Sequence, residues 1–99
     1  MNKNSLVELL QANETAILSF GVDRIGIFGS FSRNEMNDGS DIDFFVEFKA
    51  HHKTFDNFME LAFFLEDLTG RKIELITSSA LSPYLGPEIL KEVNYVIAA

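Results

Sequence analysis

Cysteine and tryptophan are absent from this chain, and proline occurs only twice. Without thiols there is no disulfide framework and no thiolate zinc site, and the composition suits a reducing compartment; a cytoplasmic location is expected. Cations are scarce as well. Eight Lys and Arg stand against 15 Asp and Glu, a formal net charge of -7. Binding of DNA or RNA as a bulk polymer relies on a field of cations that displaces phosphate counterions, so no such partner is expected. Long apolar runs are also missing, and the opening MNKNSLVELL lacks the basic-then-apolar order of a secretion signal, so no membrane association is expected.

What is present suffices for a core. Of the 99 residues 46% are hydrophobic and ten are phenylalanine, which points to one folded domain over residues 1–99 with no room for a second. Ser5 followed by Glu8 reads as a capping box opening a helix that buries Leu6, Leu9 and Leu10. Asn13 restarts a helical segment carrying Ile17 and Phe20, and Gly21 stops it. DRIGIF (23–28) reads as a strand, followed by a Gly-Ser turn and a short helix around Phe31–Glu35.

A second strand is expected from about Asp41 to Phe48. Thr54 caps a helix reaching about Leu68, with Phe55, Phe58, Leu61, Ala62, Leu65 and Leu68 on its buried stripe. RKIELIT (71–77) is the third strand, and Pro87 suits the first turn of a closing helix with Ile89, Leu90 and Val93. The expected class is α/β (α+β): a small mixed sheet with helices packed on one face.

The stretch GSFSRNEMNDGSDID (29–43) lies between the first two strands, so a rigid sheet holds both its ends. Strand side chains alternate, so Asp41 and Asp43 point one way while Ile42, Phe44 and Val46 point to the core. Glu74 takes the carboxylates' parity on the third strand if that strand is a neighbour. Adjacent carboxylates repel unless a cation lies between them, and Mg²⁺ is the oxygen-seeking ion that suits them. Three such groups could hold two ions about 3.5–4 Å apart for in-line displacement at phosphorus. Gly29 and Ser30 could cradle phosphate on backbone N–H groups, with Arg33 placing a guanidinium over the same anion.

Each element alone has a plainer reading. Asp41 and Asp43 suit a turn that becomes an edge strand, Glu74 suits a solvated strand position, and NDGSD is an ordinary turn composition. The glycine of NDGSDID sits at the wrong place for an EF-hand loop. His51 and His52 read as loop residues, and Tyr84 and Tyr95 as packing residues. Phe63 and Phe64 read as core, or as a docking patch if exposed.

Taken together, Gly29-Ser30, the ten residues Phe31 to Ser40 and Asp41-Ile42-Asp43 match the GSX10DXD signature, and the chain resembles the polymerase-β-like nucleotidyltransferase superfamily. IFGSFSR and SDIDFFVEF are most similar to its minimal nucleotidyltransferase branch, the MntA-type antitoxins paired with HEPN-domain toxins, and ILKEVNYVI looks like that family's closing helix. Ser32 and Asn34 replace the Ala and Gly that usually flank the arginine, and Glu74 stands where many members have Asp.

The resemblance implies the polymerase-β-like fold and transfer of AMP from ATP to a hydroxyl, with release of pyrophosphate. It implies a nucleotide-binding set of Gly29, Ser30, Arg33 and Ser40. Asp41, Asp43 and Glu74 would be both catalytic residues and ligands of two Mg²⁺ ions. The implied acceptor is a tyrosine of a cognate HEPN toxin, in a type VII-like toxin–antitoxin pair that forms a hetero-oligomer. Two other readings stay open: a non-catalytic antitoxin acting by binding, and a small-molecule (antibiotic) or tRNA nucleotidyltransferase, which small size and acidic charge respectively weaken.

Overall fold

The computed structural model describes residues 1–99 apart from Asp38, Ser82 and Leu85, so the expected NDGSD turn lies partly outside the described residues. Four strands form one mixed sheet: β1 (Val22–Phe28), β2 (Ile42–Phe48), β3 (Ile73–Thr77) and β4 (Asn94–Ala98), in the order β3-β2-β1-β4. β1 runs antiparallel to both β2 and β4, while β2 and β3 are parallel, joined by a helical crossover. The helices are α1 (Lys3–Ala12), α2 (Glu14–Leu18), α3 (Gly29–Ser32), α4 (Phe55–Thr69) and α5 (Gly86–Glu92), with a 3-10 turn at Ser78–Ala80.

The expected parity holds. Ile42, Phe44 and Val46 are fully buried, joined by Ile25 and Ile27 of β1 and Ile97 of β4, and α1, α2 and α4 cover this face with Leu6, Leu10, Ile17, Leu61 and Leu65. Each such side chain taken fully out of water contributes about 1.5–3 kcal/mol before entropy is counted. The opposite face is more polar. There Tyr95 lies edge-on to Phe45, its ring centroid 6.3 Å away, and its hydroxyl donates to Glu47 Oε2 at 3.1 Å. Arg24 pairs with the same Glu47 and places its guanidinium 4.3 Å from the Tyr95 ring centroid.

Several boundaries move. Asn2, not Ser5, caps α1; Ser5 is the reciprocal partner, its N–H donating to Asn2 Oδ1 at 2.9 Å while its Oγ accepts from Asn2 N at 2.9 Å. α3 starts at Gly29 itself, earlier than expected. Thr54 does cap α4, accepting from Asn57 N at 3.1 Å, but Phe55 at the helix's first position is exposed rather than on the buried stripe. The chief correction is at the C-terminus. The closing helix stops at Glu92, and NYVIA forms β4, a strand absent from the sequence reading. Tyr95, Val96 and Ile97 are good strand formers, and pairing with the central β1 overrides continuation of the helix. Among the described residues no helix is long and apolar enough to cross a membrane.

Candidate active site

The sheet brings the two ends of the 29–43 stretch together. β1 and β2 are antiparallel and pair Phe28 with Asp43, so Gly29, one residue past the end of β1, arrives beside the start of β2. Gly29 has φ +70°, and a Cβ built on it would collide with the Asp43 carboxylate. Only glycine allows this backbone conformation together with this approach. Gly29 and Ser30 then open α3, where the leading N–H groups of a helix have no acceptor within it.

The parallel register places Asp43 opposite Glu74, as the parity argument requires. The Asp43 carboxyl lies within hydrogen-bonding reach of Glu74, with Asp41 close enough to act on it by charge. Partial burial, then the Glu74 contact and the charges of Glu74 and Asp41, push Asp43 up to about 6, while the Arg33 cation opposes the rise. A carboxyl raised by burial and by neighbouring acids marks a place where a cation would be stabilised. Asp41 itself is exposed, one residue before β2. Among the described residues no three His, Cys, Asp or Glu side chains already close into a cage. The structure thus joins Asp43 to Glu74 and leaves Asp41 alongside. The donor set, all hard carboxylate oxygens, fits Mg²⁺.

Arg33 is on the same side but engaged. Its Nη1 donates to Glu92 Oε1 at 2.7 Å and its Nε to Glu35 Oε2 at 3.3 Å. Both pairs are exposed, so exchange of these acids for a more highly charged anion costs little. Ser32 donates to the Glu92 carbonyl at 2.6 Å and accepts from Asn94, fastening α3 to the α5–β4 junction. Ser40 lines a cleft of about 410 Å³ with Gly39, Asp41, Gly70, Arg71 and Lys72. Its Oγ accepts from Asn37 N at 2.9 Å. This cleft flanks Asp41 and does not include Gly29, Ser30 or Asp43.

Other singled-out residues sort differently. Phe63 is exposed, while Phe64 is half-buried, its ring centroid 5.5 Å from that of Phe20. Tyr95 packs edge-on to Phe45 but stays 40% exposed; partial burial and the Glu47 carboxylate push its phenol above the usual value. Tyr84 does not pack and is 87% exposed. His51 and His52 are exposed in the loop before α4. Sequence reasoning passed over Glu92 and Arg71. The signal for Glu92 was its place at the end of a helix returning to β1, which only the missed β4 makes visible.

A family model described as a nucleotidyltransferase domain matches residues 7–96. The chain belongs to the nucleotidyltransferase domain family. It is 39% identical over 77 residues to the protein adenylyltransferase MntA of Thermococcus cleftensis, covering 78% of this chain and 77% of that one. A solved structure provisionally described as a minimal nucleotidyltransferase superposes with a TM-score of 0.83 at 28% identity, covering 95% of each chain. Two toxin–antitoxin complexes share the fold. One, with AMP-PNP, has a TM-score of 0.69 at 23% identity and covers 100% of this chain and 75% of that one. The other, a tri-AMPylated Shewanella oneidensis HEPN toxin with its MNT antitoxin, has a TM-score of 0.60 at 22% identity, with coverage of 99% and 71%. The chain is a nucleotidyltransferase with the minimal nucleotidyltransferase fold.

Proposed function

We propose that this nucleotidyltransferase moves AMP from ATP to a tyrosine hydroxyl on a cognate HEPN-domain toxin and so silences it. The observation that carries the reading is the meeting of Gly29, Asp43 and Glu74: a glycine turn that opens a helix lies against Asp43, and the parallel register sets Glu74 opposite it. The similarity to a protein adenylyltransferase and the shared fold with antitoxins bound to their toxins support a protein acceptor.

Asp41, Asp43 and Glu74 would hold Mg²⁺. When bound, the ion neutralises charge on the triphosphate and favours ionisation of the acceptor hydroxyl. Gly29 and Ser30 at the start of α3 hold phosphate oxygens, and Ser40 contributes from the loop before Asp41. Arg33 leaves its surface carboxylates to share the same phosphates. Glu74 would accept the hydroxyl proton. The tyrosine oxygen forms its bond to the α-phosphorus as the bond to pyrophosphate breaks, and the proton passes to Glu74. Positioning and charge compensation supply most of the acceleration. A cytoplasmic setting, where ATP is available, suits this reading.

A second reading has one observation in its favour: the described acids do not close into a three-carboxylate cage, which suits an antitoxin that acts by binding alone. Incubation of the purified chain and its partner with α-labelled ATP and Mg²⁺ separates the two. Label on the partner's tyrosine, absent with Asp43→Asn, supports transfer. An unlabelled but neutralised partner supports binding alone.

A further inference from the structure

We infer that Arg71 is a positioning residue that fixes the loop before Asp41 and thereby the metal-binding acids; the inference rests on the metal-dependent transfer proposed above. Arg71 is placed firmly. α4 ends at Gly70, which takes a left-handed conformation at φ +67° and donates its N–H to Glu66 O at 2.8 Å. The next N–H, that of Arg71, reaches Thr69 Oγ1 at 3.3 Å. From there the side chain crosses to the neighbouring loop. Its Nη1 donates to the carbonyls of Asn37 at 3.3 Å and Ser40 at 3.2 Å, and its guanidinium carbon lies 5.4 Å from the Phe31 ring centroid.

These contacts join the three separate stretches that carry the site. Asn37 and Ser40 lead directly into Asp41, Phe31 follows Ser30 in α3, and Arg71 itself precedes Glu74 by three residues. Beside it, Ile42 N donates to Lys72 O at 3.1 Å, opening the parallel ladder that puts Asp43 opposite Glu74. Asn37, Gly39, Ser40 and Asp41 lie in neither helix nor strand, so side-chain contacts help to set the direction of Asp41. A guanidinium can hold two carbonyls while its flat face rests on an aromatic ring. Such supporting contacts around ligands are typically worth 10–100-fold in metal affinity. Arg71 also lines the cleft beside Asp41. Direct contact with the nucleotide is therefore the rival role.

The test uses the full chain. Mn²⁺ binding is read by electron paramagnetic resonance without nucleotide, and AMP transfer to the partner is measured across Mg²⁺ and ATP concentrations. Arg71→Met keeps the stem over Phe31 and removes the donors; Arg71→Lys keeps charge and some donors. For Arg71→Met we expect Mn²⁺ affinity to fall roughly tenfold, the low end of the range for such contacts. The Mg²⁺ requirement should rise to match, with KM for ATP at saturating metal unchanged within about twofold, the mark of a contact that acts through the metal ligands. Arg71→Lys should fall between Arg71→Met and wild type.

Wild-type Mn²⁺ affinity in Arg71→Met, or no measurable Mn²⁺ binding by the wild type, overturns the inference. So does lost ATP affinity with metal affinity intact, which would make Arg71 a nucleotide ligand. If Arg71→Met does not fold, Arg71→Lys decides: weakened Mn²⁺ binding supports the inference and wild-type binding overturns it. A wild type that binds Mn²⁺ yet transfers no AMP, with weaker Mn²⁺ binding in the variants, leaves the role of Arg71 intact and removes the transferase reading.

Discussion

Gly29, the first residue after β1, leaves no room for a Cβ against the carboxylate of Asp43 on β2. The Gly-Ser turn and the Asp-x-Asp segment, ten residues apart in sequence, are therefore two sides of one small space. Gly29→Ala should strain a left-handed backbone and push Asp43 aside. We expect a loss of about 1–3 kcal/mol of stability, the range for a residue forced into a sparsely populated conformation. AMP transfer should fall by a larger factor than that loss of folded protein explains. Thermal melting and label transfer on the same preparation check both.

Asp43→Asn keeps the shape of the side chain and removes its charge. Because Asp43 is crowded by Glu74 and Asp41, the variant should melt at or above the wild-type temperature in chelator at pH 7. Transfer should be abolished, and Mg²⁺ should no longer raise the melting temperature. A marked loss of stability in chelator would show that the carboxylate supports the fold and is not held there for a cation.

Partial burial of Asp43, together with the neighbouring Glu74 and Asp41, gives a pH dependence. Asp43 in the folded chain releases its proton near pH 6, whereas in the unfolded chain it does so near its ordinary value of 3.8. Between these limits the folded state binds more protons than the unfolded state. This contribution is therefore favourable below about pH 4 and is progressively lost as pH rises toward and past 6. Denaturant titrations in chelator from pH 4.5 to 7.5 should show wild type losing stability relative to Asp43→Asn as pH rises. Saturating Mg²⁺, which prefers the ionised acid, should reduce or reverse that trend.

Arg33→Ala breaks two exposed ion pairs, with Glu35 and Glu92, and pairs of that kind are worth about 0–1 kcal/mol. The melting temperature should move little. If Arg33 shares the phosphates, KM for ATP should rise about tenfold, equivalent to roughly 1.4 kcal/mol of a charge-assisted contact. Steady-state kinetics against ATP measure this directly, and an unchanged KM would remove Arg33 from the nucleotide site.

The placement of the acids was legible because a strand has a period of two and little else enters. Once Ile42, Phe44 and Val46 face the core, Asp43 faces away, and a parallel neighbour puts Glu74 beside it. The helix α4 was legible from its Thr54 cap and its Gly70 stop. β4 was not. Its five residues follow a helix without a glycine or proline to mark the change, and pairing with β1 across most of the chain's length settles its conformation. Glu92 and Arg71 were missed for the same reason. Their partners, Arg33 in one case and Asn37, Ser40 and Phe31 in the other, are brought within reach only by the folded sheet and its crossover.

The most direct test of the central claim is the intact mass of the partner protein after coexpression with this chain. The account predicts that the partner gains AMP on tyrosine with the wild-type chain and gains none with Asp43→Asn. A partner that is neutralised by the wild-type chain yet carries no added AMP would contradict it.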